Sequence, residues 1–248
     1  MEAPRWIPHP LLQAAARHPE GLALIWRDRT WTYHELLQEV ARTVQVLRTR
    51  SVDRGSMVPI RVRHHPHTLF LAWATSLIGA VWVAIPEPWT AQEIRQTFPG
   101  TSPPELLDPL NLELPEQAPL PDDASLWPLD RPWTVMFTSG STGRPRGVVH
   151  SVANHVFASL GAVLHLGVRP GDRWWLVLPL YHVGGFEILV RCAWVGATVV
   201  LADAAVDTWA PHLQPTDWIS LVPTLFHRWM HGIPHPPSLR GVTRALWV

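Results

Sequence analysis

Apolar and polar residues along the chain repeat with the two periods that are typical of helices and strands. A long helix is predicted to begin at Thr32, because Glu35 stands three residues later in the capping-box spacing. The apolar residues that follow recur at helical intervals and predict one buried face. They are Leu36, Leu37, Val40, Val44 and Leu47.

The most apolar segment of the chain, Leu69 to Ile85, is seventeen residues long. A membrane span needs about 20 such residues, so a span is the less favoured interpretation. Gly79 and the β-branched residues after it favour a buried helix, from about His67 to Ile78, that turns into a buried strand over Val81 to Ile85.

Further helices and strands are predicted on both sides of this segment. The helices are Pro10–Arg17, Val152–His165, Phe186–Val195 and Pro223 to about His231. The strands are Leu22–Trp26, Val58–Val62, Trp133–Phe137, Gly147–His150, Trp174–Leu178, Thr198–Leu201, Trp218–Val222 and one that starts at Arg244. Strand and helix alternation predicts an α/β fold with a parallel sheet covered by helices. The Pro-rich stretch from about 99 to 132 interrupts the pattern and is expected to be a long connection, either a surface excursion or a junction between substructures.

Composition excludes several functional classes. The chain has 248 residues, of which 47% are apolar, and 20 basic residues balance 20 acidic ones. Such a chain is not globally disordered, and with zero net charge a nucleic-acid partner is disfavoured. All the basic residues are Arg, so this chain supplies no lysine chemistry. Cys192 cannot form an internal disulfide, and the N-terminus lacks a signal-like pattern, so a cytoplasmic protein is expected.

The segment Thr138 to Gly147 combines glycines, hydroxyls and two arginines between two apolar strands. Glycines let backbone N–H groups form an anion-binding nest, and the hydroxyls and arginines add donors and charge. A polyphosphate suits this loop, although a flexible surface hairpin is the alternative. The loop is not a Walker A element, which needs Lys and a following helix. The predicted nucleotide-binding residues are Thr138, Ser139, Gly140, Ser141, Thr142, Gly143, Arg144 and Arg146.

The segment FTSGSTGRPRGVVHS, residues 137–151, resembles the phosphate-binding signature of the adenylate-forming superfamily, which includes acyl-CoA synthetases, luciferases and peptide-synthetase adenylation domains. The blocks WTYHEL at 31–36, GAVWVAIP at 79–86 and LPLYHVGG at 178–185 resemble further blocks of that family in the same order. The resemblance implies stacked, mostly parallel sheets with covering helices. It also implies ATP-dependent activation of a carboxylic acid to an acyl adenylate, with Mg²⁺, followed by transfer to CoA. Arg146 stands where the family usually has Lys.

Within the family, the stretch from 178 to 201 is most similar to the o-succinylbenzoate CoA ligases of menaquinone biosynthesis. A generic fatty or aryl acyl-CoA synthetase is the alternative. The family's adenine-binding turn, its Mg²⁺-binding Glu and its C-terminal domain with a catalytic Lys have no counterpart in residues 1–248. We therefore expect a partial AMP-binding N-terminal domain that does not complete the reaction alone, or an inactive nucleotide-binding remnant that needs a partner.

The resemblance also assigns roles to individual residues. It implies catalytic roles for Thr138, Arg146 and His182, although a core histidine is the alternative for His182. The expected substrate-binding residues are His182, Gly184, Gly185, Arg191 and Thr224. Arg191 is expected to bind the second carboxylate of a dicarboxylic acid, with a surface charge on an amphipathic helix as the alternative.

Other reactive residues carry weaker predictions. His64, His65 and His67 are close in sequence, and His227 and His231 have the one-turn spacing of paired metal ligands. Neither group has an acidic or Cys partner nearby in sequence, so we expect surface or interface histidines and no metal site. Cys192 lies in an apolar segment and is expected to be buried and unreactive.

Overall fold

The computed structural model describes residues 5–98, 105–120, 126–138, 145–202, 218–232 and 244–247. The strands are β1 (Trp6–Pro8), β2 (Leu22–Trp26), β3 (Arg29–Thr32), β4 (Met57–Val62), β5 (Val81–Pro86), β6 (Leu126–Pro128), β7 (Pro132–Thr138), β8 (Arg146–Ser151), β9 (Arg173–Leu176), β10 (Thr198–Leu201), β11 (Trp218–Leu221) and β12 (Arg244–Trp247). The helices are α1 (Pro10–Arg17), α2 (Tyr33–Thr49), α3 (Pro66–Ile78), α4 (Ala91–Thr97), α5 (Val152–Leu166), α6 (Val183–Val195) and α7 (Pro223–Gly232), with a 3₁₀ helix at Pro109–Asn111.

The strands form two larger sheets. One has six strands in the order β12-β11-β9-β10-β2-β3, and the other has four in the order β4-β5-β7-β8. Within these two sheets all strand pairs are parallel except β2 with β3 and β7 with β8, which are antiparallel. The short strands β1 and β6 pair separately. The predicted α/β class with mostly parallel sheets is therefore confirmed, and the chain divides its strands between two sheets.

Local sequence signals set the helix boundaries. Thr32 caps α2, and its hydroxyl accepts from the Glu35 N–H while the Glu35 carboxylate accepts from the Thr32 N–H. The predicted capping box is thus confirmed. Helix α3 ends at Gly79, whose φ of 76° is in the left-handed region that favours glycine. The apolar segment that raised the membrane question is therefore the buried pair α3 and β5, and no helix among the described residues is both long and apolar enough to cross a bilayer.

The prediction for residues 99–132 was only partly right. Of the described residues in this stretch, Leu107, Leu112 and Trp127 are buried rather than on the surface. Leu107 forms an isolated parallel bridge with Ile60 of β4, and Trp127 belongs to the main hydrophobic core. The many prolines gave a pattern without periodicity, yet single apolar side chains between them reach the core.

Besides the three-residue strand β1, two elements outside that stretch were not predicted. Strand β3 pairs with β2 in a tight hairpin in which Arg27 has a positive φ of 53°. Helix α4 begins with a second capping box, between Thr90 and Glu93, but only Ile94 of its residues is buried. Both elements are short and mostly exposed, so an apolar period could not reveal them.

A buried histidine connects the first helix to the core. His9 caps α1 and is 1% exposed, and its Nε2 lies 2.8 Å from the Ser76 hydroxyl. Its ring packs 4.8 Å from that of Trp127. Desolvation, followed by the charge of Arg131, lowers the pKa of His9 to about 3. The imidazole is therefore neutral in the folded protein at neutral pH.

We expect His9 to reduce stability in mild acid. Below a pH of about 6.5 the unfolded chain binds a proton at this residue and the folded chain does not, so the free energy of unfolding falls as the pH drops toward 3. Between pH 7 and pH 5 the loss from this group is roughly 2 kcal/mol. Urea unfolding of wild type and His9→Asn at both pH values checks this. An equal pH dependence in the two proteins would contradict it.

Candidate active site

The carboxyl ends of the parallel strands in both larger sheets lie on the same side of the molecule. His64 follows β4 of the four-stranded sheet, and its Nδ1 lies 3.1 Å from the carbonyl oxygen of Ala202, which follows β10 of the six-stranded sheet. Glu87 follows β5, and its charge helps to raise the pKa of Tyr181, which precedes α6. In α/β proteins ligands bind at this edge of the sheet. The two sheets therefore jointly border the candidate site.

The two strands that flank the predicted phosphate-binding segment, β7 and β8, pair at this edge. Thr138 is the last residue of β7 and pairs with Arg146, the first residue of β8. The Thr138 hydroxyl lies 3.5 Å from the Arg146 carbonyl oxygen. Both residues are exposed. The predicted loop residues Ser139, Gly140, Ser141, Thr142, Gly143 and Arg144 lie outside the described residues. The two strands predicted on either side of this segment are confirmed by β7 and β8.

Helix α6 begins at the same edge. His182 is its N-cap and is exposed, and its carbonyl oxygen accepts hydrogen bonds from the Gly185 and Phe186 N–H groups at 3.1 and 3.0 Å. Desolvation by the surrounding atoms lowers the pKa of His182. A role for His182 as a core histidine is excluded by its exposure. A largely neutral imidazole at this position can both donate and accept a hydrogen bond.

Gly185 is required by close approach of the backbone. A Cβ atom at Gly185 would lie 2.3 Å from the carbonyl oxygen of Pro179 and 2.8 Å from that of Leu178. Gly184 is half-buried beside it. The absence of a side chain at Gly185 therefore lets the start of α6 pack directly on the segment that follows β9.

Arg191 is buried on α6, so the surface-charge alternative is wrong. It is 6% exposed, and its guanidinium carbon lies 4.6 Å from the centre of the Trp174 ring. Its Nε donates to the Glu187 carbonyl oxygen at 3.1 Å, whereas its Nη1 has no hydrogen-bond partner within the described part of the chain. Desolvation lowers the pKa of Arg191, although the charges of Glu187 and Cys192 act in the opposite direction. A cation with an open donor in apolar surroundings is suited to bind a carboxylate.

The last predicted substrate residue lies at the end of a third strand. Thr224 is exposed in the first turn of α7, directly after β11 of the six-stranded sheet. Thr138 is the last residue of the parallel strand β7. His182 and Thr224 follow the carboxyl ends of β9 and β11. The fold thus assigns residues from distant parts of the sequence to one edge.

The remaining reactive residues do not form a second centre among the described residues. No group of three or more His, Cys, Asp and Glu there could hold a metal ion. Of the histidines expected at a surface or an interface, His64, His65 and His67 are half-buried, and the Nδ1 of His67 lies 2.9 Å from the Pro109 carbonyl oxygen. The side chain of His231 lies outside the described part. Cys192 is buried as predicted, and burial raises its pKa to about 12.

Sequence reasoning missed an ion-pair cluster beside the strand ends. Arg63 donates from Nε and Nη2 to the two carboxylate oxygens of Asp108, both at 2.8 Å, and also contacts Glu87. The hydrogen bond from Arg63 is the main reason that the pKa of Asp108 is lowered. These residues come from three segments without periodic signals, so no local pattern could have paired them. Through Asp108, the cluster connects the Pro-rich segment to the residues that follow β4 and β5.

Comparison with known proteins gives the family. The profile of the AMP-binding enzymes matches residues 11–107 and 100–247, which is nearly the whole chain. The chain belongs to this family. The predicted relationship to adenylate-forming enzymes is therefore confirmed.

Individual relatives of this AMP-binding chain agree with one another. The 2-succinylbenzoate–CoA ligase of Bacillus pumilus is 30% identical over 96% of this chain and 52% of that protein. The structure of o-succinylbenzoate CoA synthetase (MenE) from Bacillus subtilis in complex with the acyl-adenylate intermediate OSB-AMP is 27% identical, with a TM-score of 0.85 over 98% of this chain and 68% of the other. The same enzyme with ATP and magnesium ion gives 26% and 0.83, over 98% of this chain and 55% of that one. The chain spans about half the length of the curated relatives it matches.

The close approach at Gly185 leads to a direct test. Gly185→Ala should lower the free energy of unfolding by about 1 to 3 kcal/mol, because the new methyl group meets backbone carbonyls that cannot move freely. Gly161→Ala in helix α5 is the matched control. Nothing lies within 4 Å of a Cβ there, so that change should stabilise by about 0.5 to 1 kcal/mol. Urea unfolding measures both, and an unaffected Gly185→Ala protein would contradict the described packing.

Proposed function

We propose that the protein is an AMP-forming acid–thiol ligase that activates o-succinylbenzoate with ATP and transfers the acyl group to CoA. The observation that carries the proposal is the position of the β7–β8 pair, since Thr138 at the end of β7 lies at the edge where the parallel strands of both sheets end. The similarity to o-succinylbenzoate CoA ligases over nearly the whole chain supports it. Residues 1–248 correspond in this proposal to the N-terminal AMP-binding part of such a ligase.

The phosphate side of the site consists of the loop and the two residues that flank it. In the proposal, loop N–H groups, the hydroxyls of Ser139, Ser141 and Thr142, and the charge of Arg146 bind the β and γ phosphates of Mg·ATP. Thr138 and Arg146 close the base of the hairpin through their strand pairing. Donors of this kind stabilise charge as it develops on the leaving group.

The first chemical step is an in-line displacement at phosphorus. A carboxylate oxygen of the acid attacks the α-phosphorus, the bond to the β-phosphate bridging oxygen breaks, and pyrophosphate leaves with the bonding electrons. The product is an acyl adenylate. The CoA thiolate then attacks the acyl carbon, and AMP departs. The chain's own contribution to the first step is positioning and electrostatic stabilisation, with His182 at the start of α6 as the hydrogen-bonding group next to the acid.

The acid side of the site is helix α6. o-Succinylbenzoate has two carboxylates, of which one reacts and the other must be neutralised. Arg191 provides a buried cation whose Nη1 has no partner among the described residues. We assign the second carboxylate to Arg191, with Gly184, Gly185 and Thr224 bordering the acid. A monocarboxylic fatty or aryl acid would leave this guanidinium without a counter-charge, which is why the dicarboxylic acid is favoured.

The proposed function predicts the behaviour of Arg146→Ala. In the full-length gene product, Mg·ATP and o-succinylbenzoate together should release pyrophosphate, and Arg146→Ala should slow that release by on the order of tenfold to a thousandfold. Arg169→Ala, which changes an exposed arginine before β9, is the control and should keep the wild-type rate. Rapid-quench measurement of pyrophosphate decides the matter. Acid-independent release, or an unchanged rate in Arg146→Ala, would contradict the assignment.

The acid assignment predicts selective loss in Arg191→Leu. Because the lost contact is a charge-assisted hydrogen bond, KM for the dicarboxylic acid should rise roughly tenfold to a hundredfold. The KM for an otherwise similar acid that lacks the second, unreactive carboxylate should stay the same. Leucine suits the apolar surroundings, so the variant should remain folded. Steady-state kinetics with both acids tests this, and equal weakening of the two acids, or of neither, would show that Arg191 does not select the substrate.

A further inference from the structure

A buried chain of polar side chains lies behind the candidate site. Its members are Thr134 of β7, His155 and Ser159 of α5, and Glu187 of α6, and none is more than 3% exposed. The Nδ1 of His155 lies 2.6 Å from a Glu187 carboxylate oxygen, and its Nε2 lies 2.9 Å from the Thr134 hydroxyl. The Ser159 hydroxyl donates to the second carboxylate oxygen. We call these four residues the buried polar chain.

Every strong hydrogen-bonding group of the buried polar chain has a partner. Both nitrogens of His155 and both carboxylate oxygens of Glu187 are engaged. Because a carboxylate only accepts, Nδ1 of His155 carries a hydrogen, whereas the Thr134 hydroxyl can serve either state of Nε2. Trp133 and Phe186 enclose the imidazole, with ring centres 4.9 and 5.1 Å away. In such apolar surroundings hydrogen bonds are directional and permit one arrangement of the groups.

The presence of a buried polar pair is weak evidence that it stabilises the core, since replacing such a pair with apolar side chains of similar volume is often neutral for stability. The distinctive property of the buried polar chain is which elements it joins. Thr134 stands four residues before Thr138 on β7, and Glu187 stands five residues after His182 at the start of α6. Apolar contacts alone would let a strand and a helix slide by fractions of an ångström.

We propose that Glu187 and His155 are positioning residues, which fix α6 relative to β7 so that the acid beside α6 faces the α-phosphorus of the nucleotide held beyond β7. This inference rests on the proposed function. Neither residue touches the substrates; they act through Thr134 on the phosphate hairpin and through the backbone of α6 on the acid. Misplacement of reacting groups by about 1 Å is enough to slow a reaction by about a hundredfold.

The test separates positioning from binding and from folding. The double variant His155→Phe with Glu187→Leu removes both polar partners together, so it avoids an unpaired buried charge. We expect kcat for acid-dependent pyrophosphate release by the full-length gene product to fall roughly tenfold to a hundredfold, with KM for ATP and for the acid within about threefold of wild type. Glu187→Gln keeps the shape and can still accept from His155, so it should retain most of kcat.

Two further measurements keep the inference open to refutation. Ser159→Ala deletes one hydroxyl and should lower kcat less than the double variant, which gives a result even if the double variant does not fold. Wild-type kcat in Ser159→Ala and in a folded double variant, or a rise in KM in place of a fall in kcat, would overturn the positioning role. If the wild-type protein releases no pyrophosphate in response to acid, the proposed function itself is wrong. Activity in wild type with full activity in the variants would refute only this inference.

Discussion

The geometry of the site depends on the burial of one helix. Every residue of α6 from 185 to 193 is buried, and both ends of the helix are held by close backbone contacts. At its start, the absence of a side chain at Gly185 lets the helix pack against the Pro179 carbonyl group. At its end, the Tyr33 hydroxyl lies 3.0 and 2.6 Å from the carbonyl oxygens of Cys192 and Ala197. These contacts hold the two ends of the helix, and the polar side chains between them are positioned before any substrate binds.

Two ionisable residues on this helix have opposite surroundings. Glu187 accepts hydrogen bonds at both carboxylate oxygens, so its burial is compensated within the protein. Arg191 packs on Trp174 and keeps an Nη1 without a partner among the described residues. In our account the two residues therefore have different roles. Glu187 orders the protein, and Arg191 binds a second carboxylate of the acid. The proposal therefore relates the free-energy cost of burying the Arg191 cation to the selection of a dicarboxylic acid as the substrate.

The sequence was sufficient for the features that depend on local chemistry. The capping box at Thr32, the turn at Gly79 and the strands on both sides of the phosphate loop were predicted because neighbouring residues determine them. The stacked sheets were expected only from the family resemblance, and the contact between Glu187 and His155 was not predicted. These two residues are 32 positions apart and stand on different helices, so no sequence period connects them. Only the packing of α5 on α6 brings them together.

The central claim is that the acid attacks the α-phosphorus of ATP, and isotope transfer tests it most directly. The full-length gene product is supplied with Mg·ATP, CoA and o-succinylbenzoate labelled with ¹⁸O in its carboxylates, and the products are analysed by mass spectrometry. Because the attacking oxygen stays with phosphorus when the thiol displaces AMP, we predict AMP that carries a single ¹⁸O atom and pyrophosphate that carries none. Unlabelled AMP, or ¹⁸O in orthophosphate together with ADP, would contradict the account.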